Sequence, residues 1–419
     1  MKKISANNGS PIVARRSVLR AGLGLMAAVA VPPIATAQKA AEPFERWVET
    51  FRARARAAGV SEATYRRVMG DIKPDTSVYA HDRAQPEFRE QVWQYLNRRV
   101  SDWRIDTGTQ RAAEYADLLG RIERTYGVDR YIMLGLWGME SAFGDVVTNP
   151  KHMRPVIPAL AALAWGEPRR RKYWEQELIN ALRIVDRGWA DPREMIGSWA
   201  GAMGHSQWMP EVWLNMGVDF NRDGRISPFG PPDDALAGTA RFLVERGKYR
   251  RGEGWGYEVR LPAGLKAQGN ARRSIAAWAS AGVTRANGAA FPRPNEEARL
   301  WQPVAAGGPA FLLTRNFDAV RSYNPANTYA LAIVHLGDRI RGDGPFVQQF
   351  PGGERPPTLP EVQEIQRRLT ASGFNTGGTD GRVGQDTMRA VRAFQQKVGL
   401  QPADGYPGLK VLARLRQGG

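Results

Sequence analysis

At 419 residues the chain is too long for one small core, and with 42% hydrophobic and 24% charged residues it is neither a disordered polyelectrolyte nor a multispan membrane protein. A formal charge of +17 and a pI near 10.3 favour polyanionic surroundings, whether nucleic acid, anionic lipid or an acidic wall polymer. The absence of cysteine excludes disulfides, zinc-thiolate sites, a thiol nucleophile and a lipid-modified cysteine anchor.

Residues 1–37 run from a polar, basic start through Arg15-Arg16-Ser17-Val18-Leu19-Arg20 and an apolar stretch, Ala21 to Val31, to the small residues Ala35-Thr36-Ala37. A positive start, an apolar middle of about 11 residues and a small-x-small end make an export signal, with cleavage expected near Ala37. The paired arginines resemble a twin-arginine signal, from which Ala14 and Val18 depart. The apolar run is shorter than the roughly 20 residues a spanning helix needs, so no stable membrane anchor is expected. A soluble protein of the periplasm is the expected form, and export removes nucleic acid from the expected partners.

From residue 43 to 342 apolar residues recur every three or four positions, as in Tyr115, Leu118, Leu119, Ile122 and Tyr126, and in Leu178, Leu182 and Val185. This region is expected to be mainly α. A more irregular stretch from Arg246 to Phe311, with runs such as Tyr257-Glu258-Val259-Arg260-Leu261, is expected to add a small β part.

Within the helical region, Tyr131-Ile132-Met133-Leu134-Gly135-Leu136-Trp137-Gly138-Met139-Glu140-Ser141-Ala142-Phe143-Gly144 holds one carboxylate, Glu140, in an otherwise uncharged run. Apolar neighbours at helical spacing disfavour the charged form and raise a carboxyl's pKa, which suits a proton donor working near neutral pH. A structural Glu paired with a buried Arg fits the same pattern. Asp145 lies about 140° round a helix from Glu140 and is poorly placed as a second carboxylate.

Two further strings follow: Ser198-Trp199-Ala200-Gly201-Ala202-Met203-Gly204-His205-Ser206-Gln207-Trp208-Met209-Pro210, and Ser322-Tyr323-Asn324-Pro325 leading to Tyr329-Ala330-Leu331-Ala332. With the Trp-Gly-Met-Glu-Ser string, and in this order, they closely resemble the lytic murein transglycosylase B family, a lysozyme-like group. The resemblance implies an α+β lysozyme-like catalytic domain over 43–342. It implies a cut of the β-1,4 bond between N-acetylmuramic acid and N-acetylglucosamine in peptidoglycan without water, leaving 1,6-anhydro ends, with Glu140 as the acid/base. It further implies that Ser198, Gln207, Tyr323 and Asn324 line the saccharide groove and that Arg169 and Arg170 meet the stem peptide. A solvated basic helix start accounts for the two arginines equally well. Trp137 and Trp208 offer flat apolar faces for sugars, with core packing as the alternative. The competing readings are a hydrolytic muramidase, which needs a second carboxylate, and an inert wall-anchoring protein.

No cofactor is required by this chemistry. Asp219-Phe220-Asn221-Arg222-Asp223-Gly224 has the opening of a calcium loop, with oxygen-bearing side chains on alternate residues, but Gly230 stands where a closing Glu belongs. A structural calcium held by Asp219, Asn221, Asp223 and Asp234 and a turn held by its own side chains are both open. The four histidines, His81, His152, His205 and His335, lack metal-ligand spacing.

Residues 343–358, with Asp343-Gly344-Pro345, Pro351-Gly352-Gly353 and Pro356-Pro357, have linker composition. Residues 359–417 resume helical patterning, with Val362, Ile365 and Leu369 on one helix and Ala390, Val391 and Phe394 on another. Together with the two Asp-Gly turns, Asp380-Gly381 and Asp404-Gly405, this pattern resembles the peptidoglycan-binding domain built as a three-helix bundle. The partners so implied are glycan strands and stem peptides. If residues 1–37 act as a signal, mass analysis of the mature protein gives an amino terminus near Gln38 and places the protein outside the cytoplasm. Full-length chain found only in the cytoplasm would refute export.

Overall fold

The three-and-four spacing is realised as helices in the computed structural model, which describes residues 42–83, 90–147, 149, 153–265, 269–304 and 308–418. The proposed signal, residues 1–37, and His152 lie outside the described residues. In chain order the first elements are α1 (Phe44–Ala57), α2 (Glu62–Met69), α3 (Val78–Arg83), α4 (Val92–Arg99), α5 (Asp102–Glu114), α6 (Ala116–Tyr126) and α7 (Arg130–Ser141). Next come β1 (Arg154–Pro155), α8 (Val156–Gly166), a short 3-10 turn (Pro168–Arg170), α9 (Arg171–Asp186), β2 (Ile196–Gly197), α10 (Pro210–Met216) and α11 (Asp233–Glu245). The irregular region gives β3 (Gly256–Arg260), β4 (Arg272–Ser274), α12 (Ile275–Ser280), β5 (Thr284–Arg285), β6 (Glu297–Trp301) and β7 (Ala310–Leu313). Then follow α13 (Arg315–Arg321), α14 (Asn327–Arg341), α15 (Leu359–Ala371), α16 (Gln385–Lys397) and α17 (Leu409–Arg416). The fold is mainly α with a small sheet, in agreement with the expectation.

Two helical cores flank the site. One gathers α4, α6, α7, α11, α13 and α14 around Ile122, Leu134, Leu243, Phe317 and Leu331. The other gathers α1, α2, α8, α9 and α10, with Trp47 stacked on Phe51 at 4.9 Å. A third, smaller core lies between α12 and the antiparallel sheet, whose strand order is β4-β6-β7-β3-β5. The three carboxyl-terminal helices pack around Ile365, Val391, Phe394 and Leu412.

The central pair is α7 and α14. Nearly every residue of α7 from Ile132 to Met139 is buried, so this helix has no solvent face and must be wrapped by others. The side chain of Asp129 caps its start by accepting from the Tyr131 N–H at 2.7 Å. Its axis meets α14 at two glycines. A Cβ on Gly135 would stand 2.3 Å from the Ile333 carbonyl oxygen, and one on Gly337 would stand 2.5 Å from that of Tyr131. The backbones therefore touch directly, in an antiparallel register that carries the end of α7 to the start of α14.

The connection over 343–358 is not the loose tether that its composition suggests. Phe346 stacks on His335 at 3.8 Å, and Phe346 and Phe350 both pack on the first core. The N–H groups of Val347 and Gln348 each donate to the Glu258 carboxylate at 2.8 Å. Proline and glycine only forbid regular structure here; two phenylalanines and a carboxylate on the neighbouring sheet supply the adhesion.

Both Asp-Gly turns are realised as turns. The Gly381 N–H donates to buried Gln366 of α15, and the Gly405 N–H donates to buried Gln395 of α16, each at 2.8 Å.

The glycine contact gives a direct test. Gly135→Ala should cost roughly 3 kcal/mol or more in urea unfolding, because a methyl group has only backbone to displace. Gly344→Ala, where nothing lies within 4 Å of the added carbon, should stay within about 0.5 kcal/mol. Equal tolerance at both positions would refute the close register.

Candidate active site

Glu140 stands in the last turn of α7, half-buried, facing the first turn of α14. There the buried Tyr329 hydroxyl donates to Glu140 Oε1. Loss of water around the carboxyl pushes its pKa up from 4.5 to about 7, against the opposing influence of the Tyr329 hydroxyl and the Arg99 charge. Burial, reinforced by the neighbouring Glu140 charge, raises the Tyr329 phenol well above its ordinary range, so Tyr329 serves as a hydrogen-bond donor.

Arg99 and Tyr95 come from α4. The Arg99 guanidinium lies over the Tyr95 ring, 5.6 Å from its centroid, and its Nε is buried without a hydrogen-bond partner. Burial lowers the Arg99 pKa, and the Glu140 charge works in the opposite direction. On α5, Arg104 donates from Nε to the Gly138 carbonyl at 3.3 Å, and burial lowers its pKa to about 9.

The three sequence strings meet here through a circuit of hydrogen bonds. Ser141 Oγ donates to the His205 carbonyl at 2.6 Å, Tyr323 donates to the Ser206 carbonyl at 2.6 Å, and Tyr329 donates to Glu140. His205 is locked as well, since Nδ1 accepts from Trp137 Nε1 at 3.1 Å while Nε2 lies 2.7 Å from the Gly230 carbonyl. That pattern selects the neutral tautomer with hydrogen on Nε2, and burial lowers the ring's pKa accordingly.

The Met203–Trp208 backbone pair, with N···O distances of 2.9 and 2.8 Å, closes a tight loop on which Gln207 sits at φ 50°. A non-glycine residue in that region is uncommon and is held there by its surroundings. Gln207 Nε2 donates to the Gly204 carbonyl at 3.1 Å. Ser198 Oγ accepts from the Ala202 N–H at 3.1 Å on the same hairpin. Exposed Asn324 caps the turn into α14 by accepting from Ala326 N–H at 3.3 Å.

The remaining candidate residues have partners of their own. Trp208 is fully buried, with its N–H on Thr239 at 3.0 Å, so it is core rather than a sugar platform, and Trp137 is likewise core. In the 3-10 turn, Arg169 pairs with Glu167 at 3.1 Å and Arg170 covers the rings of Tyr173 and Trp174 at 4.7 and 4.4 Å.

In the calcium-like loop, Asp219 accepts from the N–H groups of Asp223 and Gly224 at 3.1 and 3.0 Å, and Asn221 accepts from Asp223 at 3.1 Å. Asp223 accepts from Arg225 N–H at 2.8 Å. Asp234, buried at the start of α11, accepts from the N–H groups of Phe220 and Ser227 at 2.7 and 3.0 Å. Among the described residues no three His, Cys, Asp or Glu side chains form a group fit for a metal.

Sequence reasoning missed Tyr329 and Arg99 as site residues. Tyr329 belongs to the third string but gave no sign of touching Glu140. Arg99 resembles any basic residue at the end of an amphipathic helix, and nothing in the sequence marks it.

Residues 43–338 match the Transglycosylase SLT domain family, and residues 358–415 match the peptidoglycan binding domain family. Membrane-bound lytic murein transglycosylase B of Escherichia coli K12 is 29% identical over 284 residues, covering 65% of this chain and 73% of that protein. SltB3 from Pseudomonas aeruginosa, solved with NAG-anhNAM-pentapeptide, is 39% identical with a TM-score of 0.70, covering 90% of this chain and all of the other. Escherichia coli Slt35, solved with calcium, is 26% identical with a TM-score of 0.59, covering 71% of this chain and 93% of the other.

The raised Glu140 pKa has a stability signature. The folded carboxyl holds its proton more tightly than the unfolded one, so its favourable contribution is complete below about pH 4.5 and lost as pH rises through about 7. Glu140→Gln should therefore match the wild type near pH 4 and exceed it by roughly 3 kcal/mol near pH 8 in denaturant titrations. A difference that does not vary with pH would mean an ordinary, solvated carboxylate.

Proposed function

The chain belongs to the transglycosylase SLT domain family and is an enzyme of cell-wall remodelling acting on peptidoglycan; we propose that Glu140 alone carries both proton transfers of its lytic reaction. The observation behind this reading is the Glu140 carboxyl where the three strings meet, bonded by Tyr329 and raised by burial to about 7. In the first step Glu140 gives its proton to the oxygen bridging N-acetylmuramic acid and N-acetylglucosamine while the substrate's N-acetyl oxygen steadies the cationic sugar carbon. In the second, the Glu140 carboxylate takes the proton of the C6 hydroxyl as that oxygen closes the 1,6-anhydro ring. The Tyr329 hydroxyl stays bonded to the carboxyl, easing the charged interval between the steps. The hydrolytic alternative asks for a second carboxylate, and Asp145, next along the chain, is engaged by Arg382 at 3.3 Å and Arg111 at 4.0 Å.

Ser198, Gln207, Tyr323 and Asn324 are assigned to the saccharide groove and Arg169 and Arg170 to the stem peptide. This extends the string resemblance and the meeting of Glu140, Ser206 and Tyr323 on the hydrogen-bond circuit. The amino-terminal pattern supports export to the periplasm with signal removal near Ala37. Residues 43–342 are assigned the catalysis and 359–417 the wall attachment. No cofactor takes part in the chemistry. In the calcium-like loop both oxygens of Asp234 accept backbone N–H groups and hold the turn, and the carboxyls of Asp219, Asp223 and Asp234 with Asn221 are assigned no part in the chemistry.

A digest of purified peptidoglycan resolved by mass tests the reaction. Products should end in 1,6-anhydro sugars and be lighter by one water than muramidase products, and Glu140→Gln should slow their release by orders of magnitude while remaining folded. Free reducing ends, or oxygen-18 taken from labelled water, would replace this mechanism with hydrolysis.

A further inference from the structure

The carboxyl-terminal module is docked on the elements that frame Glu140. Its principal hold is on α4. Gln94 donates to Asp404 at 2.6 Å, and Asn97 donates to both the Tyr406 hydroxyl and the Glu354 carbonyl at 3.0 Å. Trp93 meets the Tyr406 ring edge-on at 5.0 Å. Residues 93, 94 and 97 are thus held by the module on the same helix that carries Tyr95 and Arg99. Further along, the Leu359 N–H donates to Asp102 at the start of α5 at 3.1 Å, and Arg382 lies over the Trp103 ring at 4.3 Å. Arg382 also reaches Asp145, on the turn that follows Glu140, at 3.3 Å. The module therefore spans from α4 to the end of α7, the two elements that supply Arg99 and Glu140.

We propose that this module acts as a strut for the active site: by gripping α4 it fixes Arg99 and Tyr95 beside Glu140, so that cutting depends on the module even when the substrate is a short soluble glycan. This rests on the assignment of Glu140 above. Arg99 is in this view a positioning residue, a charge that favours the ionised carboxyl between the two proton transfers. The titratable groups near Glu140 are Tyr329 on α14, Tyr323 before it, and Tyr95 and Arg99 on α4, with Arg104 of α5 at the Gly138 carbonyl. Of these, Tyr95 and Arg99 ride on the element that the module holds. Wall binding alone gives no reason for the grip to fall on the helix that carries them.

The test uses the full chain with Tyr406→Phe and Asn97→Ala, which loosen the dock at positions outside the Glu140 hydrogen-bond circuit, and Arg99→Gln with Arg99→Lys as its charge-retaining partner. On a short soluble glycan, each dock variant should lower kcat roughly tenfold with KM little changed, since small displacements of a positioned group cost rate more than binding. The alkaline limb of the kcat profile should move upward, because a carboxyl that loses a cationic neighbour holds its proton to higher pH. Arg99→Gln should move it the same way and Arg99→Lys should restore it, while the dock variants combined with Arg99→Gln should add little further. Carboxyl NMR of Glu140 reads the same midpoint without turnover. A midpoint that moves in an enzyme yielding no anhydro products would retain the strut and sink the lytic reading. Dock variants with wild-type kcat, limb and midpoint would overturn the strut.

Discussion

Everything at the site follows from the contact between two helix backbones. Gly135 and Gly337 let α7 and α14 approach until carbonyl oxygens occupy the space that side chains normally fill. Interdigitating side chains could slip by a turn and leave the core intact, but backbone against backbone has one register. That register brings Tyr329 to Glu140 across 189 residues of sequence. It also explains why α7 is apolar on all sides: a helix clasped this closely has no face to give to water. The cost is paid in local conformation at the helix end, where Ala142 and Phe143 both adopt positive φ, 52° and 60°, to turn the chain away.

The chemistry is a balance struck within that frame. Burial alone would keep the carboxyl protonated, and a free cation beside it would keep it ionised. Tyr329 and Arg99 offset burial only in part, leaving the group near neutrality, which is what the proposed pair of proton transfers requires. His205 has both ring nitrogens occupied, by Trp137 and Gly230, and serves as a fixed brace.

The class of the fold was legible in the sequence, and so was the carboxyl proposed as the acid, because both are local signals. Helical spacing is written within a dozen residues, and a lone Glu in an apolar run stands out wherever it folds. The second and third strings identified a family before any contact was known. What stayed hidden was long-range or depended on burial. No spacing rule connects Arg99 to Glu140, Trp208 carries the same letter whether it faces sugar or core, and the adhesion of Phe346 and Phe350 is invisible beneath the Pro/Gly composition around them. The calcium-like loop is a local pattern of another kind: its opening residues are written together, while Asp234, which accepts the Phe220 and Ser227 N–H groups, joins them only through the fold.

The small sheet carries one more consequence. Its outer strands, β4 and β5, are three and two residues long, and arginine occupies Arg272, Arg273 and Arg285 among those five positions. An edge so short and so charged offers little template on which the strand of another copy could add. The arginine excess that suits an acidic polymer thereby also guards against self-association, so crowding along a polymer would bring copies near one another without seeding a continuous β-structure.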